Sequence, residues 1–126
     1  MTIRSAFRAF SLIAPILAVP ALAAEGFVEG FDELPLMPGL FSVGEGSLTF
    51  DMPAGRIVQA EARGAVSPEA VRRFYGETVP QLGWRRAGGD DRFVRDGEAL
   101  HLDFAPAPAD AGGRPQITVR FLLSPE

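Results

Sequence analysis

His101 is the single histidine of this 126-residue chain, so any histidine-based acid–base or metal chemistry must pass through it. Asp103 follows two residues later, and in an extended segment that spacing puts both side chains on one face. Glu61, on another alternating segment, adds a carboxylate, and the three form a candidate polar face for proton transfer or cation binding. A tetrahedral zinc site asks for more: one histidine and no cysteine cannot supply its nitrogen and sulfur ligands. Arg63 or Arg120 on facing strands can equally pair with Asp103 on a wet surface. Nucleophilic chemistry has less to work with. Ser42, Ser47, Ser67 and Ser124 all lie outside any Gly-x-Ser-x-Gly turn. Asp90-Asp91 sits in a glycine-rich turn and reads as solvated, and Gly88-Gly89 and Gly112-Gly113 open no helix that would cradle a phosphate. No catalytic residue, metal or cofactor is expected.

The element that must position these residues is the stretch from Ser67 to Trp84. Ser67 suits an N-cap, Pro68 the first helical position, and Glu69 the positive end of the helix dipole. Val71, Phe74, Tyr75, Thr78 and Leu82 recur at helical spacing and make one apolar stripe. Pro80 interrupts the pattern, and its ring is directed at the carbonyl of Gly76, so the spacing predicts a kinked helix that continues to Leu82 and ends at Gly83. Around it the chain alternates. Residues 47–51, 56–63, 84–87, 91–95, 98–104 and 116–123 are strand candidates, and Asp96-Gly97 is a two-residue hairpin turn. Residues 105–115 read as an exposed loop. The sum predicts an α+β two-layer sandwich, one kinked helix on an antiparallel sheet of four or five strands. Its expected core is Val58, Ala60, Val71, Phe74, Tyr75, Leu82, Trp84, Phe93, Leu100, Leu102, Phe104, Ile117, Val119 and Phe121.

The N-terminus reads as an address. Arg4 and Arg8 precede an apolar run from Ala9 to Val19, and Ala21 and Ala23 fit an A-x-A cleavage pattern, so residues 1–23 are expected to be a cleavable export signal. Cleavage after Ala24 and retention as a membrane tether are the alternatives. The run is shorter than the ~20 residues that span a bilayer. With residues 1–23 removed, 103 residues remain, enough for one domain, with ten arginines against sixteen acids and a net charge of −6. An acidic chain is a poor binder of nucleic acid. Export without cysteine points to the periplasm.

Residues 24–46 form an expected extended arm ahead of a single domain at 47–126. Pro35 and Pro38 forbid an unbroken helix there, while the apolar content is too high for a solvated linker. Leu36, Met37, Leu40 and Phe41 are expected to lie across the core edge. The functional alternative makes Leu36, Met37 and Leu40 candidate partner-binding residues on a detachable peptide. Two arginine pairs, Arg72-Arg73 and Arg85-Arg86, read as solvent-facing, with an anion patch for lipid head groups or an acidic partner as the alternative.

The runs Pro35-Leu36-Met37-Pro38-Gly39-Leu40, Gly55-Arg56-Ile57-Val58, Val71-Arg72-Arg73-Phe74-Tyr75 and Val79-Pro80-Gln81-Leu82-Gly83-Trp84 resemble those of a family of small exported bacterial proteins without an assigned activity. The resemblance spans most of the chain after the signal and implies an envelope location; its signatures are packing and capping residues that carry fold rather than mechanism. The functional expectation is therefore a non-catalytic periplasmic domain that binds an envelope protein or lipid, as a monomer or weak edge-to-edge homodimer. The alternative is a small enzyme or ligand-binding protein using Glu61, His101 and Asp103.

Overall fold

The computed structural model describes residues 26–44, 46–89 and 91–126. The export signal expected at 1–23 and Asp90 of the acidic pair lie outside the described residues. Three ten-residue strands make the frame: β3 (Gly55–Gly64), β6 (Glu98–Ala107) and β7 (Gln116–Pro125). Their period-two patterns turn Val58, Ala60 and Ala62, Leu100 and Leu102, and Val119, Phe121 and Leu123 toward one face, where all are buried. Shorter strands fill the sides: β1 (Phe41–Ser42), β2 (Leu48–Met52), β4 (Arg85–Arg86) and β5 (Arg92–Arg95). Among the described residues the antiparallel sheet runs β1-β3-β7-β6-β5-β4, and β2 also pairs with β3. The β5–β6 turn is the expected one. Asp96 and Gly97 have φ of 50° and 77°, the two positive values that a tight hairpin with matching twist demands.

The fold is mostly β, and the expected sandwich of one helix on four or five strands is corrected accordingly to seven strands. The strand missed is short: β1 has two residues and is held by the ten-residue β3, so it has no pattern of its own to read, whereas β4 falls within the candidate at 84–87. Strand β6 also runs on to Ala107, three residues into the segment expected to be loop.

The helix α1 spans Pro68–Thr78, opened as expected by Ser67, whose Oγ accepts from the Ala70 N–H at 3.1 Å. It does not bend past Pro80. The α-helix ends at Thr78, and Val79–Leu82 tightens into a 3-10 turn closed at Gly83. Pro80 has no N–H to give an α-helical bond, and the tighter turn spares its ring the clash. Gly76 makes no hinge; its bare backbone leaves room for the Arg86 guanidinium, which a Cβ there would overlap.

The second half of the cover is the arm. Phe27 bridges to Pro35, the Val28 N–H donates to the Leu34 carbonyl at 2.8 Å, and the closed loop drops Val28 and Leu34 into the core. Leu40 is buried too, while Leu36 and Met37 pack against the core half-buried. Phe41, expected inside, is 48% exposed. Its register partner is Arg63, so it projects from the uncovered face. Of the expected core, Phe74, Leu82, Phe104 and Ile117 are only partly buried. Tyr75 is the centre instead. Its ring meets Phe121 edge-on at 5.2 Å, and Phe31 of the arm meets the same Phe121 at 6.4 Å.

The Tyr75 hydroxyl ties helix to arm by donating to the Pro35 carbonyl at 2.9 Å and accepting from the Met37 N–H at 3.1 Å. Burial pushes this phenol well above its ordinary value of 10.0, an effect the Met37 N–H only partly offsets. The unfolded chain ionises its tyrosine near pH ~10 while the folded chain keeps the proton. The stabilisation is therefore full below that pH and falls by about 1.4 kcal/mol per unit above it. The chain has one tyrosine, no lysine and no cysteine, so no other side chain titrates in that window. Denaturant melts between pH ~9 and ~12 are expected to show this slope, and Tyr75→Phe is expected to flatten it.

Candidate functional site

The face of the sheet away from α1 and the arm carries the expected polar residues. Register lines Glu61, Arg120 and Asp103 in one row across β3, β7 and β6, with His101 in the next. Arg120 donates through Nη2 to Glu61 Oε1 at 3.0 Å, and His101 Nε2 lies 3.1 Å from Asp103 Oδ1. The structure thus brings His101 and Asp103 together and commits Glu61 to Arg120. All four side chains are between 37% and 58% exposed on an open surface. Exposed pairs of this kind contribute about 0–1 kcal/mol. Among the described residues no three histidine, aspartate or glutamate side chains gather closely enough to hold a metal ion.

The arginine pairs split. Arg72 reaches Asp91 at 2.9 Å and lies 4.8 Å from the Phe104 ring centroid, and Arg86 lies 5.7 Å from that of Phe93. One member of each pair thus lies over an aromatic ring, while Arg85 and Arg86 both remain exposed. Arg95 does most of the bridging. Its guanidinium stacks over Trp84 at 4.5 Å, donates to the Leu82 carbonyl at 2.6 Å and ion-pairs with Glu33 of the arm. The cleft of about 250 Å³ beside it, floored by Leu34, Leu82, Trp84 and Leu100, is the seam where arm meets sheet.

The candidate partner residues of the arm are largely consumed by this packing: Leu40 is buried, and Leu36 and Met37 line the core. Apolar surface is left outside singly at Phe27 and Phe41 and as a row along β2. Leu48, Phe50 and Met52 are 58%, 56% and 52% exposed. Each pairs with an outward residue of β3: Leu48 with Gln59, Phe50 with Ile57, Met52 with Gly55. They therefore form a stripe on the uncovered face, which half-buried Ile57 and Leu122 continue. Thr49 and Asp51 point to the other side and are exposed as well. The far edge of β2 is open: among the described residues its only strand partner is β3, and no other backbone hydrogen bond reaches Leu48–Met52. The sequence signal for this site was present. A two-residue loop at Pro53-Ala54 pairs Phe50 with Ile57, and Ile57 must face away because Val58 faces in.

No family model, curated protein or solved structure matches this chain. No helix among the described residues is long and apolar enough to cross a membrane.

Proposed function

We propose that this chain is a non-catalytic domain of the bacterial envelope, exported by its N-terminal segment, that assembles with a protein component through the edge and outer face of β2. The observation that carries the reading is an edge strand exposed along its whole length, with three large apolar side chains beside an unpaired backbone. Water-exposed edges of this sort are templates for another strand; main-chain hydrogen bonds supply affinity and alternate side chains supply selectivity. The net negative charge makes an anionic lipid surface the weaker partner.

Site-specific photocrosslinking in cells tests it. A photoreactive residue at position 50 is expected to give a discrete adduct, whereas one at Glu77, exposed on α1, gives none. Equal labelling from both positions, or none from position 50, overturns the proposal. Recovery of the chain from the periplasmic fraction with an N-terminus at residue 24 or 25 is the expected sign of export.

A further inference from the structure

We infer that the component seated on β2 is β2 of a second copy, paired antiparallel about a two-fold axis through Phe50. This rests on the reading of β2 as a docking edge and adds the identity and register of its occupant. In that register Phe50 faces the partner's Phe50, Leu48 faces the partner's Met52, and Thr49 faces the partner's Asp51. Apolar meets apolar on the outer face, and on the other face a hydroxyl can donate to a carboxylate. Each Asp51 also keeps Arg56 as its register neighbour on its own β3.

The alternatives are worse on the same residues. A slip of one residue sets Phe50 against a polar side chain and turns the two apolar stripes to opposite faces. Centring the axis on Asp51 opposes two carboxylates directly, which destabilises a strand pair. Centring it on Thr49 leaves Met52 beside Gly46, without an apolar partner. The Phe50-centred register alone pairs all five residues and opposes no like charges.

The strand also lacks the devices that keep natural edges apart. It carries no lysine, no internal proline and one charge, and that charge finds a partner in the favoured register. Strand β1 lies on the same side of β3 but farther along, at Ala62 and Arg63, and leaves the β2 edge clear. Pairing therefore continues the sheet from one copy into the next and merges both apolar stripes on one side. Five residues a side is a small contact, at the low end of interfaces below ~1,200 Å², so the dimer is weak and concentration-dependent.

The chain has no cysteine, so single-cysteine variants report the register directly. Directly opposed strand residues sit about 4.5–5.5 Å apart at Cα, within the span of a disulfide. On mild oxidation of the full chain, Phe50→Cys is expected to form a covalent dimer. Thr49→Cys mixed with Asp51→Cys is expected to crosslink, and Thr49→Cys alone is not. In sedimentation equilibrium the unsubstituted chain is expected to pass from monomer to dimer as concentration rises through the micromolar range. Phe50→Lys, which opposes two cations at an exposed position and leaves the core intact, should weaken the dimer at least about tenfold. A monomer at all concentrations that still gives a position-50 adduct with a different protein, or binds vesicles through Phe50, overturns the inference and leaves or replaces the partner accordingly. A monomer with no position-50 adduct overturns both this inference and the docking reading. A dimer indifferent to Phe50→Lys, or crosslinked by Thr49→Cys alone, overturns the inference.

Discussion

Tyr75→Ala is expected to unfold the domain at ordinary temperature. Removing the ring empties the junction of α1, Phe121 and the arm, and loss of a buried aromatic side chain costs about 3–5 kcal/mol. The hydroxyl adds its own share, because the Pro35 carbonyl and the Met37 N–H lose their partner together. Orphaning buried polar groups costs about 1–3 kcal/mol more. A total on the order of 4–8 kcal/mol rivals the whole stability of a domain of this size. Tyr75→Phe separates the two effects. It keeps the ring, so the loss should be confined to about 1–3 kcal/mol and to the arm. Urea titration of both variants, with limited proteolysis between Pro35 and Leu40, checks the partition. If Tyr75→Ala melts within 2 °C of the parent, a shift smaller than the ~4–8 °C that 1 kcal/mol produces in such a domain, Tyr75 is not the keystone.

Gly64→Ala is expected to be the most damaging change of a single methyl. A Cβ at Gly64 would lie inside the carbonyl of Gly39 and press on Leu40, both in the arm where it crosses the end of β3. Gly64 is not in the left-handed region, so backbone strain at residue 64 itself is not the cause. The obstacle is a backbone atom, which cannot swing aside as a side-chain tip does. Either β3 shifts or the arm lifts, and lifting withdraws Leu40, Val28 and Leu34 from the core. Overpacking alone costs about 1–3 kcal/mol, and partial exposure of these three side chains should bring the total to about 3 kcal/mol or more. Hydrogen exchange is the informative readout. Protection is expected to vanish at the Leu40 and Val28 amides while the β6–β7 ladder stays protected. Uniform loss, or none, would show that the arm is not the yielding part.

Several of these features could be read from neighbouring residues. The Ser67 cap, the Asp96-Gly97 turn and the inward faces of β3, β6 and β7 each depend on chemistry within a few positions of the chain. Others were half legible. Pro80 announced an interruption, but its position alone did not say whether the helix would bend or tighten; the α-helix ends at Thr78 and a 3-10 turn carries the chain to Gly83. Leu48, Phe50 and Met52 alternate with Thr49 and Asp51 like a half-buried strand, yet their face follows from the parity of the β2–β3 turn, and no layer covers that face. The arm was the hardest case. Acidic residues interleaved with Phe27, Val28, Phe31 and Leu34 suggest a strip lying across the surface, whereas the chain closes into a loop that turns two of these residues fully inward.

By itself, the amino-acid order determined a cysteine-free, acidic chain with one capped helix and several alternating segments, because capping, turn chemistry and alternation are short-range forces acting along the backbone. Only the tertiary structure decided what those pieces do to one another: that Tyr75 holds the arm some forty residues away, that Arg120 on β7 engages Glu61 on β3, and that β2 is left with its edge and apolar side chains in water. Contacts across such separations depend on which surfaces remain after every long strand has found its partner, and no local pattern carries that information.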